Sequence, residues 1–255
     1  MDSRPLILRN TKYPVFVRQF EEGVNSAVQT NGITVIFDNF RASNTIIALM
    51  ESNALIRPIR MGDDVSQYLD WIKIGERQIS DFHIFDYDNS PYFIENNPNL
   101  FSGKKVVLRT TNGTRGIILA KGSKKIIVGS FKNIKALVRY CIPYLVKNIP
   151  INIIAMGSKA EVEISRIEDI YGSLMLYYEL LQEFDSSSLD MSEVKQNHPL
   201  LRDWKQEIIN DRGLPEESRD DRLNCLQLDT INFVPEYNLN TRMLEKKNIE
   251  EKLIV

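Results

Sequence analysis

Residues 105–120 read Lys-Val-Val-Leu-Arg-Thr-Thr-Asn-Gly-Thr-Arg-Gly-Ile-Ile-Leu-Ala. The apolar run from Lys105 to Leu108 reads as a short buried strand, and Gly116 to Ala120 opens a helix. Between them lie Thr110, Thr111, Asn112, Gly113 and Thr114, flanked by Arg109 and Arg115. Small polar side chains, a glycine and free backbone N–H groups at the start of a helix favour an anion. The turn therefore predicts part of a phosphate pocket.

The same strand–turn–helix grammar recurs on both sides. A β-branched run, Ile33 to Phe37, ends at Asp38, and helical apolar spacing follows from Arg41 to Glu51. Lys125 to Val128 ends at Gly129 and Ser130, and a helix follows from about Asn133 to Val146, which Pro143 should kink or end. Ile151 to Ala155 leads through Met156 and Gly157 to a long helix from about Ser165 to Glu183. Repeated βα units predict an α/β fold: a mixed, largely parallel core sheet flanked by helices, with long functional loops. Ligands of open α/β sheets sit beyond the carboxyl ends of the strands, where Asp38, Thr110 to Thr114, Ser130 and Gly157 would gather. Residues 61–103 and 185–224 are more polar and less periodic. They suggest long loops or a small lobe on an otherwise single domain of residues 1–255, with 185–222 as a mobile lid.

Composition narrows the function. A net charge of −2 provides no global basic field for nucleic acid, so an anion site must be built from local arginines. Cys141 and Cys225 lie too far apart in sequence to suggest a disulfide framework, and they fit a reducing cytoplasm. No signal-peptide core is visible, and no apolar run approaches the ~20 residues that span a bilayer. The two histidines, His83 and His198, sit in no catalytic or metal motif, and no nucleotide-binding glycine motif occurs.

Five acidic or mixed clusters could carry chemistry. Asp38 with Arg41 offers a carboxylate and a phosphate-binding fork at a strand end, or simply a helix cap and a surface ion pair. Glu76 with Arg77 reads equally as a solvated loop. Asp86, Asp88, Asn89 and Ser90 suit a hard cation or an Asx-rich turn ended by Pro91. Glu168 and Asp169 would suit either the helix dipole or a metal. In the fifth cluster, Asp220 to Asp229, acidic neighbours disfavour a Cys225 thiolate, which makes it a structural thiol.

In order along the chain, FDNFRASNTI (37–46), IGER (74–77), FDYDNSP (85–91), RTTNGTRG (109–116), VGSFKN (128–133), IEDIYG (167–172) and DDRLNCLQLDTINFVPEY (220–237) resemble the 2-phosphosulfolactate phosphatase (ComB) family. The resemblance spans about Gly32 to Tyr237. It departs at Asn39 and Phe40, Gln78 and Ile79, Asp88, and Met156, which bears on the substrate more than on the reaction type. It implies Mg²⁺-dependent hydrolysis of the phosphate monoester of a 2-hydroxy acid, most directly 2-phosphosulfolactate, as in coenzyme M biosynthesis. It further implies a small anionic substrate and a homo-oligomer, a homodimer or larger; the charge and the apolar pattern predict no nucleic-acid or membrane partner. Site roles carried over are Asp38, Arg41, Glu76 and Arg77 in catalysis. Thr110, Thr111, Asn112, Gly113, Thr114, Arg115, Asn89 and Ser90 would hold the phosphate or substrate, and Asp38, Asp86, Glu168 and Asp169 the metal. Two alternatives stay open. Phe85 to Ser90 also imitates the aspartyl-phosphate motif of haloacid-dehalogenase phosphatases, and a non-enzymatic binder of small phosphorylated acids would need the same anion site.

Overall fold

The runs Ile33–Phe37 and Ile151–Ala155 are buried at every residue, as parallel strands covered on both faces must be. The computed structural model describes residues 8–76, 84–159, 163–164, 166–210 and 219–250. In chain order its first elements are β1 (Leu8–Arg9), β2 (Val15–Gln19), α1 (Phe20–Gln29), β3 (Ile33–Phe37), α2 (Ala42–Glu51) and β4 (Leu55–Ile59). Next come β5 (Ile72–Gly75), β6 (Tyr87–Asp88), α3 (Pro91–Asn96), β7 (Lys105–Arg109), α4 (Gly113–Leu119), β8 (Lys125–Gly129) and α5 (Ile134–Leu145). The remainder are β9 (Ile151–Ala155), the small ladder β10 (Ser158–Lys159) and β11 (Glu163–Ile164), α6 (Ile167–Asp185), α7 (Met191–Asn197), α8 (Trp204–Ile209), α9 (Arg219–Cys225), β12 (Phe233–Asn238) and β13 (Met243–Asn248). Pro143 lies in the last turn of α5, which stops two residues later.

One mixed, largely parallel sheet carries the fold, in the order β1-β2-β9-β3-β8-β12-β13-β4-β7-β5-β6. It contains two parallel groups. β2, β9, β3 and β8 run together, and so do β4, β7, β5 and β6. The antiparallel hairpin β12–β13 joins them, pairing antiparallel to β8 on one side and to β4 on the other. The two groups therefore point in opposite directions, which a simple succession of βα units does not predict.

In a flat sheet the opposed directions would keep the carboxyl ends of β3 and β7 apart. Five strand spacings of ~4.8 Å separate them by roughly 24 Å sideways alone. The four residue steps from Arg109 to Gly113 reach at most about 14 Å. Yet a Cβ placed on Gly113 would lie 2.8 Å from Asp38 Oδ2, just past β3. The sheet must fold over at the hairpin. The core agrees, because Ile36, Val128 and Ile154 of the first group share one buried cluster with Ile56, Ile74, Val106 and Leu108 of the second. Ile46, Ile47 and Leu49 of α2 lie within that cluster, and nine of the ten residues of α2 are buried. A helix buried on every side belongs between layers.

The other face of the first group packs on α5 and α6 through Val35, Ile153, Leu137, Met175 and Tyr178. Val194, Trp204 and Ile208 join the same cluster. The described part of the segment read as a lid is thus anchored by widely spaced apolar residues, which its polar composition concealed. Among the described residues no helix is long and apolar enough to cross a membrane.

The hairpin is secured by Glu236 on β12, which accepts hydrogen bonds from Lys125 Nζ (2.6 Å) and Tyr140 Oη (2.6 Å). Burial and this carboxylate push the Tyr140 phenol well up. Glu236→Ala leaves that phenol without its acceptor and should lower unfolding stability by about 1–3 kcal/mol, read as a shift in the urea midpoint.

Candidate active site

Asp38 is 6% exposed at the end of β3. Its backbone N–H donates to Ser43 Oγ (3.0 Å), and its carbonyl accepts from Ser43 N–H (2.8 Å), which fixes the turn into α2. The Phe40–Arg41 peptide in that turn is cis. Gly113, at the start of α4, presses on Asp38 from the other strand group. A Cβ there would also come within 2.5 Å of Ala42 Cβ, so only glycine fits.

Behind Asp38, Asn39 stitches three loops together. Its N–H donates to Asp169 Oδ1 (2.7 Å), its Nδ2 donates to the Glu168 carbonyl (3.0 Å), and its Oδ1 accepts from Phe131 N–H (3.2 Å). Its own carbonyl accepts from Asn44 Nδ2 (2.8 Å), and Asn44 Oδ1 accepts from Ser130 Oγ (2.8 Å). Asp169 Oδ2 takes Gly157 N–H (3.1 Å) from the turn after β9. Gly172 must stay bare, because a Cβ would meet Asn39 Nδ2 at 2.7 Å. The predicted carboxylates Asp38, Glu168 and Asp169 are thus gathered at one edge. Burial, then Glu168 and Asp38, raise the Asp169 pKa well above its ordinary 3.8; the two backbone N–H donors offset this in part.

The second wall is built on Arg41. Its Nη1 donates to Asp221 Oδ2 (2.7 Å) on α9, and its Nη2 lies 3.4 Å from Asp88 Oδ2. Asp221, 1% exposed, also accepts from Ser90 Oγ (2.8 Å) and Tyr92 N–H (3.1 Å). Ser90 caps α3 by accepting from Phe93 N–H, with Pro91 at the first helical position. Asn89 is 1% exposed, and among the described residues neither its Oδ1 nor its Nδ2 has a hydrogen-bond partner. An orphaned buried amide is costly unless a ligand or water satisfies it.

The other predicted residues have these partners. Thr110 and Thr114 bond chiefly to each other: Thr110 N–H donates to Thr114 Oγ1 (3.0 Å) and Thr114 N–H to Thr110 Oγ1 (3.0 Å). Glu76 accepts from both the N–H (3.1 Å) and the hydroxyl of Thr111, so it positions the turn. Asn112 makes no side-chain capping bond. Arg115 pairs with Glu21 in a cleft of about 450 Å³ that Arg60 and Thr111 also line. Arg109 lies over the Phe85 ring, 4.7 Å from its centroid. Asp86 Oδ2 accepts Lys73 N–H (2.8 Å), two residues short of the carboxyl end of β5. Arg77 lies outside the described residues. Among them, no three His, Cys, Asp or Glu side chains are arranged to hold a metal ion.

Sequence reasoning missed Asp88 and Asp221 as partners of Arg41, and Lys132 altogether. Lys132 is buried, with Nζ bonded to Glu95 and to Asn224 Oδ1 (2.9 Å), joining α3 and α9 to the β8 turn. The only signal was its place inside VGSFKN. Cys141 and Cys225 are buried and form no disulfide with each other, and burial pushes the Cys141 thiol up to about 12.

Comparison with known proteins is consistent across the chain. The family model described as 2-phosphosulpholactate phosphatase matches residues 19–240. The chain belongs to the 2-phosphosulfolactate phosphatase family. A probable 2-phosphosulfolactate phosphatase of Clostridium novyi is 26% identical over 223 residues, covering 82% of this chain and 90% of the relative. One from Caldanaerobacter subterraneus is 24% identical, covering 79% and 86%. The 2-phosphosulfolactate phosphatase of Methanocaldococcus jannaschii is 32% identical over 108 residues, covering 40% and 46%. In this family member the dehalogenase-like alternative loses its footing, because Asp86 follows no central strand and is bonded to Lys73 at the sheet edge.

Two outcomes follow from this geometry. Gly113→Ala should cost about 1–3 kcal/mol through overpacking against Ala42 and Asp38, outweighing the helix-propensity gain, as thermal or urea unfolding will show. The folded pKa of Asp169 is raised, so its charged form is penalised in the folded state. That penalty is absent below the unfolded value and complete above the folded one. Without divalent cation, stability should therefore fall as pH rises from about 3.8 through the raised value, and Asp169→Asn should remove that component of the slope.

Proposed function

We propose that this chain hydrolyses the phosphate monoester of 2-phosphosulfolactate, yielding sulfolactate and phosphate, with Mg²⁺ as cofactor. The observation that carries the reading is the buried Asp38 carboxylate, set between Gly113 and the Glu168–Asp169 pair in a member of this family. The donor set fits Mg²⁺, which takes oxygen ligands and typically one or two protein carboxylates, the rest being water and phosphate oxygens. Asp38 and Glu168 would hold it. Asp169, with both oxygens already on backbone N–H groups, keeps the loops that carry them in place. Bound there, the ion supplies charge neutralisation of phosphoryl oxygens and a lowered pKa for a water.

The chain's own residues do the rest. Asp221 and Asp88 hold the Arg41 guanidinium in a fixed orientation, so it meets the phosphoryl group without first losing side-chain freedom. Asn89 Nδ2 offers a donor to the acid groups of the substrate, and its Oδ1 an acceptor to a water. Glu76 keeps Thr111 and its turn in register against Asp38. Phosphate-ester hydrolysis demands very large acceleration, and fixed charges in a partly dry site supply most of it. Two buried cysteines not joined to each other support action in a reducing cytoplasm.

The test is phosphate release from 2-phosphosulfolactate and phospholactate, with Mg²⁺ and then with EDTA. The expected result is Mg²⁺-dependent release that drops at least about 10³-fold in Asp38→Asn. Asn89→Ala should mainly raise KM. Ligand-dependent thermal stabilisation without phosphate release from any substrate would favour the non-enzymatic binder instead.

A further inference from the structure

A second basic cleft lies at the C-terminal end of α4, the opposite end of that helix from Gly113 and Asp38, and shares Arg60 with the 450 Å³ cleft. Its volume is about 200 Å³, and Arg57, Arg60, Lys121, Arg242, Tyr68 and Tyr237 line it. Four cations here face one carboxylate, Asp63, whose Oδ2 is already taken by the Arg60 backbone N–H (2.8 Å). Among the described residues none of the four cations forms an ion pair. The chain as a whole is slightly acidic, so this grouping does not follow from composition. Like charges held together raise the folded state's energy unless something neutralises them.

The cluster is also pre-formed. Arg57 is fixed from two sides, with Nη2 donating to the Thr241 carbonyl (3.1 Å) and its guanidinium 5.3 Å from the Trp71 ring centroid. Its Nε is buried and has no partner. Arg242 sits at the β12–β13 turn with φ +59°. Its backbone N–H donates to the Asn238 carbonyl (2.8 Å), which fixes where the side chain leaves the chain. Tyr237 is buried on β12 with Arg57, Arg242 and Tyr68 close enough to act on its phenol.

We propose that this cleft is a second anion site, separate from the catalytic one, for a small multivalent oxyanion of the phosphate class. Guanidinium forks match tetrahedral oxyanions, and tyrosine hydroxyls add neutral donors. The volume falls below the roughly 300–1,000 Å³ of pockets that enclose drug-sized ligands, and suits a small anion. The site does not depend on the chain being a phosphatase. If it is one, its own product belongs to the class of ligand bound here.

The experiment is calorimetric titration of the full chain with inorganic phosphate, with EDTA and at low ionic strength, where surface charge is least screened. Trp71 fluorescence gives a parallel readout, because Arg57 lies against that ring. The expected result is phosphate binding with a fluorescence change, weakened about tenfold or more by Arg57→Gln with Arg242→Asn, as loss of charge-assisted bonds requires. Asparagine suits the left-handed backbone at 242. The pair Lys121→Gln with Arg242→Asn removes two exposed side chains and provides the same reading if the first pair fails to fold. Asp38→Asn, acting at the other site, should leave this binding intact. Equal phosphate affinity in wild type and in a folded cleft variant would overturn the proposal. So would loss of all binding in Asp38→Asn alone.

Discussion

The fold depends on one contact between two sets of strands that run in opposite directions. Gly113 meets Asp38 only because the sheet bends at the β12–β13 hairpin and closes around α2. Every residue of the site inherits its place from that closure. The Asp38 turn and the acidic start of α6 come from the first strand group. The Gly113 turn, Glu76 and Asp88 come from the second. A side chain at residue 113 would hold the two apart, and packing in a protein interior leaves no slack to absorb it.

The site is held by polar groups that are individually expensive to bury. Asp169 carries a raised pKa and two backbone hydrogen bonds, and these opposed effects have one origin. The same burial that penalises its charge makes the two N–H bonds strong. Asn39, Asn44 and Ser130 extend the network across three loops. Asp221 plays the corresponding part on the other wall, gathering Arg41, Ser90 and the Tyr92 amide on one carboxylate. Such networks set geometry more than they add stability, which is what a site acting by fixed charge requires.

The central parallel strands and the helices after them were legible, because Ile33–Phe37 and Ile151–Ala155 are unbroken apolar runs. The acidic partners of Asp38 were legible as well, through their position beyond the strand ends. The joining hairpin was not. Pro235 argues against a central strand, and Met243–Asn248 is rich in charge and reads as solvent-facing surface. Period alone also carries no information about direction, so the reversal between strand groups was invisible. The threonine turn illustrates a subtler limit. Its composition suits an anion but does not disclose what holds it in shape: Thr110 and Thr114 bond to each other and Thr111 bonds to Glu76, a partner 35 residues away. Asn39 looked like a departure from an apolar position, and it turned out to be the knot that ties three loops.

The hairpin also governs the order in which the molecule can be completed. Residues 233–248 are synthesised after every other strand of the large sheet. Until they arrive, β8 and β4 each present an open edge, and the two strand groups have no common register. Each group is built from βα units able to collapse early, but their union waits on β12 and β13, which follow the sheet's other strands in the chain. A nascent chain of this protein therefore leaves the ribosome with two unpaired edges exposed, the condition under which edge-to-edge association competes with folding.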